Sequence, residues 1–257
     1  MKKSDGSYDA LPQYLSASAV SLSSCVIGTW MSFTSVTIPK MMENSLESIN
    51  HVSNDGGEDN PIIINFNEAS WIASLFFIGN IFGCLAGGYL NQKLGTKTLF
   101  LVSAPISAVT WIMIAFSHEI WLILVARVIS GIFFGVFQAN GKVYNAEIAH
   151  EDLRGILATI LGIMFSLGCM YTYVLGYFVQ SWRTIALCQL VPCCLLGISV
   201  IFVPDSPYWL VEKGRFEDAK KSLIVLRGPD YDVNDELTEM LNKNRERRRE
   251  GGLSLKP

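Results

Sequence analysis

Charged residues are missing from long stretches of this chain, and in those stretches apolar residues run all round instead of following one stripe. No Asp, Glu, Lys or Arg interrupts Ala10 to Pro39, Ala69 to Gln92, Thr98 to Ser117, Gly155 to Trp182 or Thr184 to Pro204, and Ile120 to Gly141 holds a single charge, Arg127. A bilayer core about 30 Å thick needs about 20 apolar residues at about 1.5 Å of helix rise each. Every stretch meets that length, so the pattern predicts six membrane-spanning helices, the only open-chain solution that satisfies backbone polar groups in lipid. The first run follows Lys2 and Lys3 but is too long for a cleaved leader, lacks a small-residue cleavage pattern and has Asp5 and Asp9 in its basic region, so it reads as a retained span.

The pattern divides the chain into a cytosolic N-terminus over 1–16, a six-helix bundle over 17–204 and a cytosolic linker over 205–257. With both ends inside, the cytoplasmic segments hold Lys2, Lys3, Lys93, Lys97, Lys142, Arg154 and the basic residues after Pro204, whereas the outside holds Lys40 and Arg183. The first outside loop carries Glu43, Glu47, Asp55, Glu58, Asp59 and Glu68, with a flexible turn at Asn54–Gly57 and no glycosylation sequon. Short links near His118 and Gln180 make spans three and four, and five and six, antiparallel hairpins. Small residues recur four apart at Gly79, Gly83 and Gly87 in the second span and at Gly131, Gly135 and Ala139 in the fourth, the spacing that lets membrane helices approach closely. Beyond Pro204, Phe216, Ala219, Leu223 and Leu226 share one helix face; Val233, Leu237, Met240 and Leu241 repeat the pattern after a break at Gly228-Pro229. The basic run Arg245 to Arg249 follows, suited to a solvated linker or to anionic lipid.

Composition narrows the functions. Half of the 257 residues are apolar, 17% are charged and the net charge is −3, which leaves no basic surface for nucleic acid. The mean hydropathy is +0.33. All six cysteines lie in apolar runs without metal-ligand spacing and read as small buried hydrophobes, so no metal or cofactor is expected. His51, His118 and His150 are scattered, no nucleophile lies near them and no phosphate-binding loop is present, so neither an enzyme nor an ATP-driven pump is indicated.

The loops carry a set of ordered motifs. Gly88 to Lys97 is similar to G-x-x-x-D-R-x-G-R-R/K, with Gln92 and Thr96 at two departures; Ala126 to Gly131 is similar to G-R-x-x-x-G; Tyr144 to Ala149 followed by Arg154-Gly155 matches Y-x-x-E-I/T-A…R-G, with Lys142 in place of a frequent proline. Trp182-Arg183 and Pro204 to Leu210, which is similar to P-E-S-P-R-W/Y-L, complete it. The chain thereby resembles the sugar porter family of the major facilitator superfamily. Within it, Gly28, Ser32 to Ser35 and Glu68 to Trp71 are most similar to the insect facilitated trehalose transporter-like group.

The resemblance implies an all-α membrane protein: the N-terminal half of a major facilitator fold plus short cytosolic amphipathic helices. It implies facilitative sugar transport, of trehalose or a hexose, by alternating access. Lys93, Lys97, Arg154 and Glu147 fall at cytoplasmic span ends, where opposite charges can pair and hold the inner face closed. Arg127, also a candidate for this charge network, is inside a span and faces protein or snorkels outward, because an unpaired Arg at a bilayer centre costs about 2.5 to 3.5 kcal/mol. Neutral polar and aromatic side chains suit sugar hydroxyls and ring faces, which makes Ser32, Phe33, Thr34, Asn80 and Gln138 candidate contacts, with helix-to-helix bonding the alternative for Asn80 and Gln138. Gly162 stands where the family carries a sugar-contacting Gln. No span contains Asp or Glu, which favours facilitated diffusion over proton symport. The ending at Gly251 to Pro257 is similar to the linker before a seventh span, so the chain reads as a truncated form, whose partner is a second transporter half or another copy of itself. A non-transporting membrane partner and a sugar sensor are the alternatives. The expected surroundings are the lipid bilayer, as a multi-pass protein of the plasma membrane.

Overall fold

The computed structural model describes residues 11–51, 62, 64–150, 153–228 and 231–253. The turn expected at Asn54–Gly57, the basic residues Lys2 and Lys3, and the side chains of Arg247 to Arg249 lie outside them.

The described residues form ten helices and no strand: α1 Leu11–His51, α2 Phe66–Leu94, α3 Thr96–Ala115, α4 Ile120–Ile148, α5 Arg154–Phe178, α6 Trp182–Cys188, α7 Leu190–Ile201, α8 Pro207–Glu212, α9 Phe216–Arg227 and α10 Val233–Leu253. Six spans are long and apolar enough to cross a membrane, α6 and α7 together making the sixth. Large apolar side chains such as Phe82, Leu85 and Phe202 are exposed on the bundle's outside, where lipid replaces the core that a water-soluble protein would need.

Several boundaries differ from the charge pattern. The first span was expected to end at Pro39, yet α1 runs on to His51. Charge limits what sits in lipid but does not stop a helix. The Ser45 hydroxyl fastens the extension, donating to Met41 O at 2.7 Å and accepting Ile64 N–H at 3.1 Å. α2 begins at Phe66 on a capping box, with Asn65 accepting at the helix start and Glu68 reaching back to Asn65 N at 2.7 Å. The sixth span is broken at Gln189. Its cause is Pro192, which has no N–H for the carbonyl of Cys188 four residues earlier. That carbonyl instead accepts the Tyr171 hydroxyl at 2.7 Å.

Two seams of backbone contact organise the bundle. α2 packs chiefly on α4, and α1 on α5. Along the first seam, a Cβ on Gly135 would lie 2.6 Å from Asn80 O and 2.6 Å from Cys84 N, and Gly79, Gly83 and Gly131 similarly face Val128, Ile132 and Phe76 backbone. The small-residue ladder therefore sets the interhelix distance, as its spacing predicted. Gly28 and Gly168 do the same for α1 and α5. That seam is closed at one end by Lys40 Nζ, which donates to Gly176 O at 2.6 Å and to Val179 O, a cation at the carbonyl end of a helix. Between the seams lies an aromatic stack in which Trp30 sits 5.8 Å from Phe137 and 6.4 Å from Trp111. Of the six cysteines only Cys193 is fully buried, and Cys194 is exposed on the apolar surface, so the expectation of six buried thiols is corrected. An apolar helix surface in lipid accepts a thiol as readily as a core does.

After the bundle, α8, α9 and α10 pack around Leu210, Val211, Ala219, Leu223, Val233 and Met240. Phe216, assigned to the inward face, is exposed instead because it opens α9 before the first turn meets α8.

Candidate functional site

A chamber of about 530 Å³ lies among α1, α4 and α5. α4 supplies Gln138, Lys142, Asn145 and Ala146, and α5 supplies Arg154, Ala158, Leu161, Gly162 and Phe165. Both sets recur at three- and four-residue spacing, so each is one face of its helix. Ser24 and Ile27 of α1 complete the lining. Asn145 donates to Ser21 Oγ at 3.1 Å, while its Oδ1 is buried without a hydrogen-bond partner. A Cβ at Gly162 would meet nothing within 4 Å, so the missing side chain leaves space.

Of the sequence candidates for substrate contact, Gln138 lines this chamber. Asn80 lies behind it on the α2/α4 seam, where Cys84 Sγ approaches Asn80 Oδ1 at 3.3 Å and Gln138 Oε1 at 4.0 Å, bonding helix to helix. Ser32 is buried in α1, and Phe33 and Thr34 gather on Arg127; none of the three lines the chamber.

Arg127 is 0% exposed, which rules out the snorkelling alternative. Its Nη2 donates to Thr34 Oγ1 at 2.8 Å, and the guanidinium lies 4.8 Å from the Phe33 ring centre and 5.8 Å from that of Phe76. Two aromatic faces offset part of the desolvation, while Nε and Nη1 have no hydrogen-bond partner.

The charges expected to form a gate are dispersed. Lys93 is exposed and stacks 4.5 Å over the Tyr89 ring; Lys97 is half-buried. Glu147 and Arg154 share a second recess of about 640 Å³ with Tyr208, Glu212, Lys213, Lys243 and Asn244. Among the described residues no ion pair joins Glu147 to Lys93, Lys97 or Arg154. Thr96, at a motif departure, is buried and donates to Asn91 Oδ1 at 2.8 Å.

Sequence reading missed a clasp at this end of the bundle. Arg227, 2% exposed, pairs with Glu236 at 2.7 Å and donates through Nη1 to Ile148 O at 2.9 Å, closing the last turn of α4. The Tyr144 hydroxyl donates to Pro204 O at 2.8 Å, and Trp209 Nε1 donates to Gln92 O at 3.2 Å. The Trp209 ring also covers Gly95, whose φ of 80° only glycine adopts without strain. A basic residue in the last turn before Gly228 was the one available signal, but nothing local reveals a carbonyl 79 positions earlier.

Comparison with known proteins follows the same lines. A family model described as Sugar (and other) transporter matches residues 17–257. The facilitated trehalose transporter Tret1 of Polypedilum vanderplanki is 29% identical over 92% of this chain and 44% of its own length. The human solute carrier family 2, facilitated glucose transporter member 6, is 31% identical over 88% of this chain and 42% of its own. The chain thus spans less than half the length of these relatives. Among solved structures, the proton:xylose symporter XylE bound to 6-bromo-6-deoxy-D-glucose superposes with a TM-score of 0.80 at 20% identity, over 95% of this chain and 56% of that one. XylE from E. coli in a partially occluded inward open conformation gives 0.75, also at 20% identity, over 93% and 60%. A multi-pass membrane protein with six spans laid out as the N-terminal half of a major facilitator fold, the chain belongs to the Sugar (and other) transporter family.

Proposed function

We propose that this chain is one half of a facilitative sugar transporter that works by alternating access in the plasma membrane, with both ends cytoplasmic. The observation that carries the reading is the chamber among α1, α4 and α5, walled by Gln138, Asn145 and Ser24 in the half-fold of a sugar transporter family. Neutral donors and acceptors beside apolar wall suit a polyhydroxy solute. A facilitated trehalose transporter and a facilitated glucose transporter among the relatives favour trehalose or a hexose as cargo. Facilitated diffusion is favoured over proton coupling because the charge-free runs hold no carboxylate and the groups around the buried Arg127 are a hydroxyl and two aromatic faces, which exchange no proton near neutral pH. Glu147 and Arg154 share the recess beside α8 and α10 while Lys93 and Lys97 stand apart from it, and a second half or another copy of the chain completes the pathway.

Radiolabelled trehalose and glucose uptake in transporter-null cells tests this, comparing the chain alone with the chain coexpressed with a matching second half, surface expression verified in each case. Saturable uptake that requires the second half is the expected result. Uptake by the chain alone would replace it with a pore formed by copies of this chain, and no uptake in either case would shift the role to a membrane partner or a sensor.

A further inference from the structure

The chamber's charge is one-sided. Among the described residues its two lining groups with a fixed charge, Lys142 on α4 and Arg154 on α5, are both cations, and none of its described lining residues is Asp or Glu. Glu147 lines the neighbouring recess instead, which Arg154 also borders. Neither Lys142 nor Arg154 has a hydrogen-bond or ion-pair partner among the described residues. Lys142 lies one turn from Gln138 and close to Asn145 on the same face of α4, so an ammonium and two amide side chains line one space. Both cations are exposed, so water and salt screen them, but lining one concave site they still favour a bound anion over a neutral solute. Hydroxyl-matching amides beside two such cations describe a polyhydroxy solute that carries an acid. The open space beside Gly162 gives room for the added group.

We propose that the chamber selects an anionic sugar, its acid group a carboxylate or a phosphate, and that Lys142 is the residue that sets this selectivity. The proposal rests on the transporter reading above and departs from it on the cargo, putting an acid-bearing sugar in place of trehalose or a neutral hexose in the same chamber. Lys142 holds the acid group while Gln138 and Asn145 address hydroxyls. Arg154 adds long-range attraction and is shared with the second recess.

The test is equilibrium binding of radiolabelled D-gluconate, D-glucose 6-phosphate and D-glucose to the purified chain in nanodiscs of neutral phosphatidylcholine, so that no anionic headgroup competes. The expected result is that at least one anion binds about tenfold or more tightly than glucose, and that raising the salt from about 0.05 M to about 0.5 M weakens the anion alone. Lys142→Gln abolishes the preference, Lys142→Arg keeps most of it, and Lys221→Gln on the exposed face of α9 leaves it intact. Glucose binding without an anion preference, or a preference that survives Lys142→Gln, would overturn the proposal and leave the sugar reading standing. Binding of none of the three by a chain that keeps its wild-type circular dichroism and melting temperature would overturn the proposal and count against the chamber as a sugar site.

Discussion

Gly135→Ala puts one methyl group into the α2/α4 seam. Its Cβ would stand 2.6 Å from Asn80 O, 2.6 Å from Cys84 N and 2.8 Å from Gly83 C, all backbone atoms that no rotamer change can move away. Ordinary contact begins at 3.4 Å, so the helices must part locally by about 0.8 Å. A radial gap of about 0.5 to 1 Å forfeits a quarter to a half of each dispersion contact it opens, and dispersion is the main attraction between helices in lipid. Overpacking of this kind costs about 1 to 3 kcal/mol. Gly88→Ala, on α2, supplies the control. A Cβ there meets nothing within 4 Å, so only the backbone term remains, which favours Ala in a helix by about 0.5 to 1 kcal/mol. At about 2 to 4 °C per kcal/mol for a chain of this size, thermal unfolding of the purified protein in detergent should place Gly135→Ala about 2 to 12 °C below wild type and Gly88→Ala level with it or slightly above. Equal shifts in the two variants, or a Gly135→Ala melting point within about 1 °C of wild type, would refute the claim that backbone contact sets this seam.

Thr34→Val removes the one hydrogen bond of the buried Arg127 guanidinium and should cost about 1.5 to 3 kcal/mol in the same assay, with Thr34→Ser restoring most of it. Arg127→Met, which replaces a buried charge by apolar volume, should cost less than Thr34→Val; the reverse order would show that the guanidinium is itself a net stabiliser. Arg227→Ala strands Glu236 and uncaps Ile148 O, so hydrogen exchange in α9 and α10 should rise by tenfold or more, roughly, while α2 and α4 stay protected up to their last turns. Gly95→Ala forces a side chain to a φ of 80° against Trp209 and should cost about 1 to 3 kcal/mol, a loss that Trp209→Ala relieves only in part because the backbone strain remains.

The spans were legible because lipid excludes charge everywhere along a helix, so the absence of Asp, Glu, Lys and Arg is a signal summed over many residues. The glycine ladder was legible for a related reason: Gly79, Gly83, Gly131 and Gly135 repeat at the spacing of one helix face, and the partner face carries the same repeat. The break at Gln189 hung on one residue, Pro192, which is tolerated inside α1 as Pro39 and inside α3 as Pro105; only the position of the Tyr171 hydroxyl shows where the freed carbonyl goes. Within the site, Gln138, chosen for its depth, lies on the chamber wall, whereas Phe33 and Thr34, at similar depth, turned to Arg127 because a buried guanidinium draws the nearest hydroxyl and aromatic faces. Lys142, Asn145 and Arg154 come together through the pairing of α4 with α5, which a linear pattern does not record.

The two glycine seams have a mechanical consequence. Where backbone rests on backbone, as between α2 and α4 and between α1 and α5, sliding would drive carbonyls into Cα atoms, so each pair behaves as a girder. Where α4 meets α1 near the chamber, the close neighbour of Gly141 is the Ser23 hydroxyl, a side chain that can swing aside. The chamber therefore straddles the joint between the girders, with α1 and α5 on one side and α4 on the other. Its shape depends on how the α2/α4 pair sits against the α1/α5 pair.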